Sequence, residues 1–115
     1  MNLPSDLQLL LVVKDLFQIQ ERGLVLSPDF SVPGRNWKSR TETVILEIPD
    51  GIRFEARAIF QLSHFNIRDP DVSIDRRWRV TVCLPDLKAE EVPVGTRLFA
   101  PFEVVAMLAN QFNRV

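Results

Sequence analysis

The sequence predicts an all-β domain, a small closed or nearly closed Greek-key-like β-barrel of about six strands that ends in a helix. Three observations point there. Residues 52–62 and 78–84 alternate apolar and polar side chains, as half-buried strands do. Turn formers, namely Gly23, Pro33-Gly34 and Pro49-Asp50-Gly51, separate the short apolar segments. Only from Pro101 does the apolar spacing become helical. A chain of 115 residues allows one compact domain. The barrel is expected over about 9–100 and the helix over about 101–113.

Taken in order, residues 1–8 form a polar lead-in and residues 9–19 a loosely alternating first strand. Val13, Phe17 and Ile19 share one side of it. Gly23 turns the chain at positive φ, and 24–27 return. Residues 28–40 carry the Pro33-Gly34 turn, with Trp37 folding back onto the barrel. In the strand over 41–48, Val44, Leu46 and Ile48 share a face, and Pro49-Asp50-Gly51 closes a hairpin. Residues 52–62 have the clearest period. Ile52, Phe54, Ala56, Ala58, Phe60 and Leu62 point inward, while Arg53, Glu55, Arg57 and Gln61 point outward. The next strand puts Trp78, Val80, Val82 and Leu84 inward, with Arg77, Arg79, Thr81 and Cys83 outward. Between them, residues 63–76 are polar, contain Pro70 and read as a long loop, and 95–99 is the last strand. Phe102, Val105, Met107, Leu108 and Phe112 mark the helix, with Pro101 in its first turn and Glu103 favourable to its dipole.

A formal net charge of -1 leaves no global field to gather nucleic acid or an anionic membrane. Arg far outnumbers Lys. Such a bias suits planar contacts to carboxylate or phosphate, and genome composition produces it as well. Cys83 is the single cysteine, so no internal disulfide forms. The apolar run over 9–13 is too short to span a bilayer and lacks the flanks of a signal peptide. A cytoplasmic protein with no membrane partner is the expectation.

Two segments carry a resemblance. From Val13 to Val25 the chain reads close to hydrophobic-x-Asp-hydrophobic-Phe-x-Ile-x-Gly-Arg-Gly-x-Val, matched in register by Asp15, Phe17, Ile19, Arg22, Gly23 and Val25. Residues 83–98 follow with an apolar strand, a basic-acidic turn ending in Glu91-Val92, then Gly95 and a short strand. Together they resemble the start and end of domain 2 of elongation factor Tu and related translational GTPases. The resemblance implies a non-catalytic barrel that serves as a binding and spacer module near tRNA or the ribosome. It covers about residues 13–100 and excludes the GTPase domain, since no G-x-x-x-x-G-K-[ST] loop is present.

Other chemistry finds less. Cys83 and His64 are the only thiol and imidazole, one within a strand and the other in a loop, and read as structural. They also fall short of a zinc site. Asp69, Asp71, Ser73 and Asp75 have calcium-loop spacing, but Ile74 and Val80 stand where Gly and a bidentate Glu belong. Asp71-x-Ser73, with Arg35 and Arg40, resembles the cyclic di-GMP motif of PilZ barrels; the arginines are one residue too far apart and Arg76 replaces a Gly. A cyclic-dinucleotide-binding barrel is therefore a distant alternative. The candidate partner patch is arginine on adjacent outer faces: Arg53, Arg57, Arg77 and Arg79, with Glu47 and Glu55 interleaved. The expected function is a non-enzymatic binding module without cofactor or metal, associated with translation. A protein–protein adapter or regulatory protein unrelated to translation is the alternative.

The purified protein should neither bind nor hydrolyse GTP, because no phosphate loop holds the nucleotide. Isothermal titration checks this, and saturable micromolar binding would remove the accessory-barrel reading.

Overall fold

The computed structural model describes residues 6–20, 22–34, 37–64 and 78–109. The fold is mostly β. Its strands are β1 (Leu7–Val12), β2 (Asp15–Ile19), β3 (Gly23–Ser31), β4 (Arg40–Glu47), β5 (Arg53–His64), β6 (Trp78–Leu84) and β7 (Arg97–Pro101). A 3-10 turn, Ala89–Glu91, precedes β7, and a short helix α1, Phe102–Leu108, follows it. All pairings are antiparallel, in the order β1-β7-β4-β5-β6-β3-β2. Within it, β7-β4-β5-β6 has the strand order of a Greek key.

This is a curled seven-stranded half-barrel, not a closed six-stranded barrel. The extra strand has a local cause. The expected first strand splits at Val13 and Lys14, because these neighbours bond to opposite edges of the sheet. Val13 N–H donates to Thr96 C=O at 2.8 Å and Val13 C=O accepts from Gly95 N–H at 2.8 Å. Lys14 N–H instead donates to Ser27 C=O at 2.9 Å. One half becomes β1 beside β7 and the other β2 beside β3. The break also separates Val13 from Phe17 and Ile19: Val13 is buried in the core, whereas Phe17 and Ile19 are exposed. On β2 it is Leu16 that packs against the core.

The concave face holds the core. Leu24, Leu26 and Phe30 of β3 meet Val80, Val82 and Leu84 of β6, and Phe60, Leu46 and Leu98 continue the layer. A bulge in β1 between Leu9 and Leu11 lets adjacent Leu10 and Leu11 both bury. Trp37 packs against this cluster as expected. Phe54 is half-buried against it, but Trp78 and Ile52 are exposed. These two have the inward phase yet lie at the ends of their segments, past the reach of the core. Outward-phase Thr81 and Cys83 are buried.

Helix α1 is anchored by Phe102 N–H donating to Asp6 C=O at 2.7 Å. It buries Val104, Val105 and Leu108 and leaves Phe102 exposed. Phe112 and the rest of the expected helix lie outside the described residues, as does the expected loop beyond His64, which itself ends β5.

Two glycines turn hairpins at positive φ. Gly51, at +97°, sits in the β4–β5 turn with nothing within 4 Å of a would-be Cβ. Gly23, at +82°, presses on the chain leaving β6: a Cβ would lie 2.6 Å from Pro85 Cα and 2.9 Å from Leu84 O. Gly51→Ala should therefore cost only the left-handed strain, about 1–2 kcal/mol. Gly23→Ala should cost more, because backbone must also move. Urea unfolding midpoints measure the difference, and equal losses would show that β3 and the Pro85 turn separate without penalty.

Candidate partner-binding groove

Directly opposed residues of an antiparallel sheet project to the same side. Phe17 faces Val25, Val25 faces Cys83, and Cys83 faces Ile59. This row lies on the side opposite the core. The same phase brings Arg53 and Arg57 of β5 onto that outer face, and Arg79 joins them opposite Ser63.

A bulge opens the face. Between the Leu26–Val82 and Phe30–Val80 pairs, Ser27, Pro28 and Asp29 of β3 stand against Thr81 alone. The Ser27–Pro28 peptide is cis. Beside this bulge lies a groove of about 540 Å³, within the range of ligand pockets. Phe17 and Ile19 of β2 and Val25 of β3 form its apolar side, and Ser27, Asp29, Ser63 and Thr81 its polar side. Phe17 is 54% exposed and Ile19 41%.

Arg22, from the β2–β3 turn, reaches back over the face to the polar side. Its guanidinium donates to Ser63 Oγ at 3.4 Å. Ser63 and Thr81, both buried, share a hydroxyl bond of 2.7 Å, and Thr81 Oγ1 donates to Gln61 C=O at 3.3 Å. Either hydroxyl of the Ser63–Thr81 pair can donate to the other, and Ser63 Oγ accepts from Arg22. Among the described residues, Arg22 has no carboxylate partner.

The sequence-predicted arginines are placed differently. Arg53 pairs with Glu47. Arg57 binds both oxygens of Asp86, each at 3.2 Å. Arg79 reaches Asp29 at 3.3 Å and Ser31 Oγ at 3.1 Å. Arg77 lies outside the described residues. The three share a face but not a point: the ten-residue step from Arg53 to Ser63 along β5 spans roughly 33 Å. Arg40 bonds to Glu42 and Glu103. Arg35 and the Asp69–Asp75 spacing are outside the described residues.

Sequence reading did not gather the groove. Phe17 and Ile19 entered as one side of the first strand and, with Arg22, as motif matches, while Ser27, Asp29 and Ser63 entered only within strand and loop ranges. The available signal was Pro28 inside an otherwise strand-like segment, a position that marks bulges.

Cys83 and His64 stand apart, Cys83 opposite Ile59 and His64 opposite Trp78, five positions along the ladder. Burial pushes the Cys83 thiol above its ordinary pKa, outweighing the opposing effects of a Thr81 hydrogen bond and the Arg22 charge. Among the described residues, no three His, Cys, Asp or Glu groups could hold a metal ion, and no helix is long and apolar enough to cross a membrane.

Because the folded thiol pKa is raised, the stability it contributes is complete below the unfolded-state value. It is lost as pH rises through the folded one. The protein should therefore weaken on the alkaline side, and Cys83→Ser should flatten that limb of the stability–pH curve. Native Cys83 should react with a disulfide reagent at least about tenfold more slowly than unfolded Cys83. Equal rates would place the thiol in solvent.

Comparison with family models, curated proteins and solved structures gives no match.

Proposed function

We propose that this chain is a non-enzymatic binding module that docks a protein partner on the outer face of its sheet. The observation that carries this reading is the groove beside the β3 bulge, with Phe17 and Ile19 exposed at its rim. Exposed large apolar residues gathered at a concave site are the usual signature of a contact surface. The arginine pattern supports protein over nucleic acid. A phosphate backbone draws affinity from cations that shed counterions, and Arg53, Arg57 and Arg79 already face Glu47, Asp86 and Asp29. The lone thiol, buried and held toward its protonated form, is poorly suited to nucleophilic work.

A translation-associated module is the second reading. It rests on the resemblance of residues 13–25 and 83–98 to the translation-factor barrel, and the positive φ of Gly23 is compatible with that alignment. Fold analogy does not specify a partner.

Tagged protein captured from native lysate, with and without nuclease, separates the two. The protein reading expects nuclease-resistant capture with little salt dependence, reduced by Arg79→Ala, which frees Asp29 at the groove rim. The translation reading expects RNA retention whose salt slope falls by roughly one unit for each of Arg57→Ala and Arg79→Ala. RNA retention of that kind would displace the protein reading.

A further inference from the structure

We infer that the groove takes an extended acidic peptide segment of a partner protein, an apolar side chain lying against Phe17 and Ile19 and a neighbouring carboxylate on Arg22. This rests on the binding-module reading and adds the chemistry of the partner.

The charge balance of the groove selects the occupant. Arg79 and Asp29 neutralise each other at one rim. Arg22 is left as a cation held in place by a neutral hydroxyl. Arg22, Ser63, Thr81 and the Gln61 carbonyl form one connected set of hydrogen bonds. Ser63 and Thr81 are buried and bonded to each other, which leaves Arg22 as the charged donor that the groove presents. Arg22 has most of its planar fork of N–H donors left over among the described contacts. Such a fork binds one carboxylate in a bidentate manner. Beside it the apolar side of Phe17, Ile19 and Val25 offers no polar side chain, and suits an aliphatic or aromatic side chain a residue or two from the carboxylate. A nucleic acid strand fits poorly. Its successive phosphates would meet the partly exposed Asp29 carboxylate and arginines that already have acidic partners.

Fluorescence anisotropy with the full chain tests this. The probe is a fluorescein-labelled peptide pool in a Ser/Thr background, with Phe, Leu or Ile at one position and Glu one or two residues on. A matched pool carries Gln for Glu, and labelled oligo(U) is the nucleic acid arm. The Glu pool should bind about tenfold more tightly than the Gln pool, the worth of one charge-assisted contact. Arg22→Gln should erase that ratio, Phe17→Ala should weaken both pools, and Arg97→Gln on β7 should change neither. Unchanged thermal midpoints establish that the variants fold, as the exposure of both side chains leads one to expect. Equal binding of the two pools, no binding of either, or a ratio that survives Arg22→Gln overturns the assignment. So does Arg22-dependent binding of oligo(U) that the Glu pool does not match. Nuclease-resistant capture of a lysate partner that persists in Arg22→Gln would sink this assignment and leave the binding-module reading standing. Absence of both nuclease-resistant capture and Glu-selective peptide binding would overturn the binding-module reading together with this assignment.

Discussion

Everything else in the sheet depends on two adjacent residues serving opposite edges. Val13 bonds to the segment entering β7 and Lys14 to β3, and each bond is ordinary, worth about 1 kcal/mol net. Their importance is geometric. A seven-stranded sheet whose first and last strands are consecutive in the chain must curl until its edges come within one peptide of each other. That curl makes one face concave, and the concave face is where Phe60, Leu24 and Leu98 find partners. Thr96 is buried at the same junction, with its hydroxyl donating to Pro93 C=O at 2.6 Å, so the polar groups enclosed there are paired.

The strands with strict alternation were the legible part of the sequence. β5 and β6 lie where the period of residues 52–62 and 78–84 puts them, and Gly23 and Gly51 turn as read. The reading failed where tertiary geometry overrides period. Nothing in the composition of residues 9–19 says that Val13 and Lys14 part company, since either phase of that segment is apolar enough to bury. Trp78 has the inward phase but is exposed at the start of β6, and Cys83 has the outward phase but is enclosed. The groove was hidden for the same reason. It exists because three residues face one at the β3 bulge, a mismatch that appears only once strands are paired.

Electrostatically the outer face is organised in local pairs and not as a field. Acids from three segments, Asp29 of β3, Glu47 of β4 and Asp86 after β6, each sit beside an arginine. Exposed pairs such as Arg57–Asp86 add little stability, about 0–1 kcal/mol. Their effect is to remove single-sign patches, which leaves shape, apolar contact and Arg22, without a carboxylate partner among the described residues, to decide what settles in the groove.

The register of β1 on β7 has a mechanical consequence. Leu7 lies opposite Pro101, and Asp6 C=O accepts from Phe102 N–H just beyond. The chain therefore enters and leaves the sheet at the same end of one antiparallel ladder. Tension applied across those two points would load the hydrogen bonds one after another, as in opening a zip, and not all together in shear. Entry and exit this close together are also the arrangement that lets a domain sit within a loop of another protein without stretching its host.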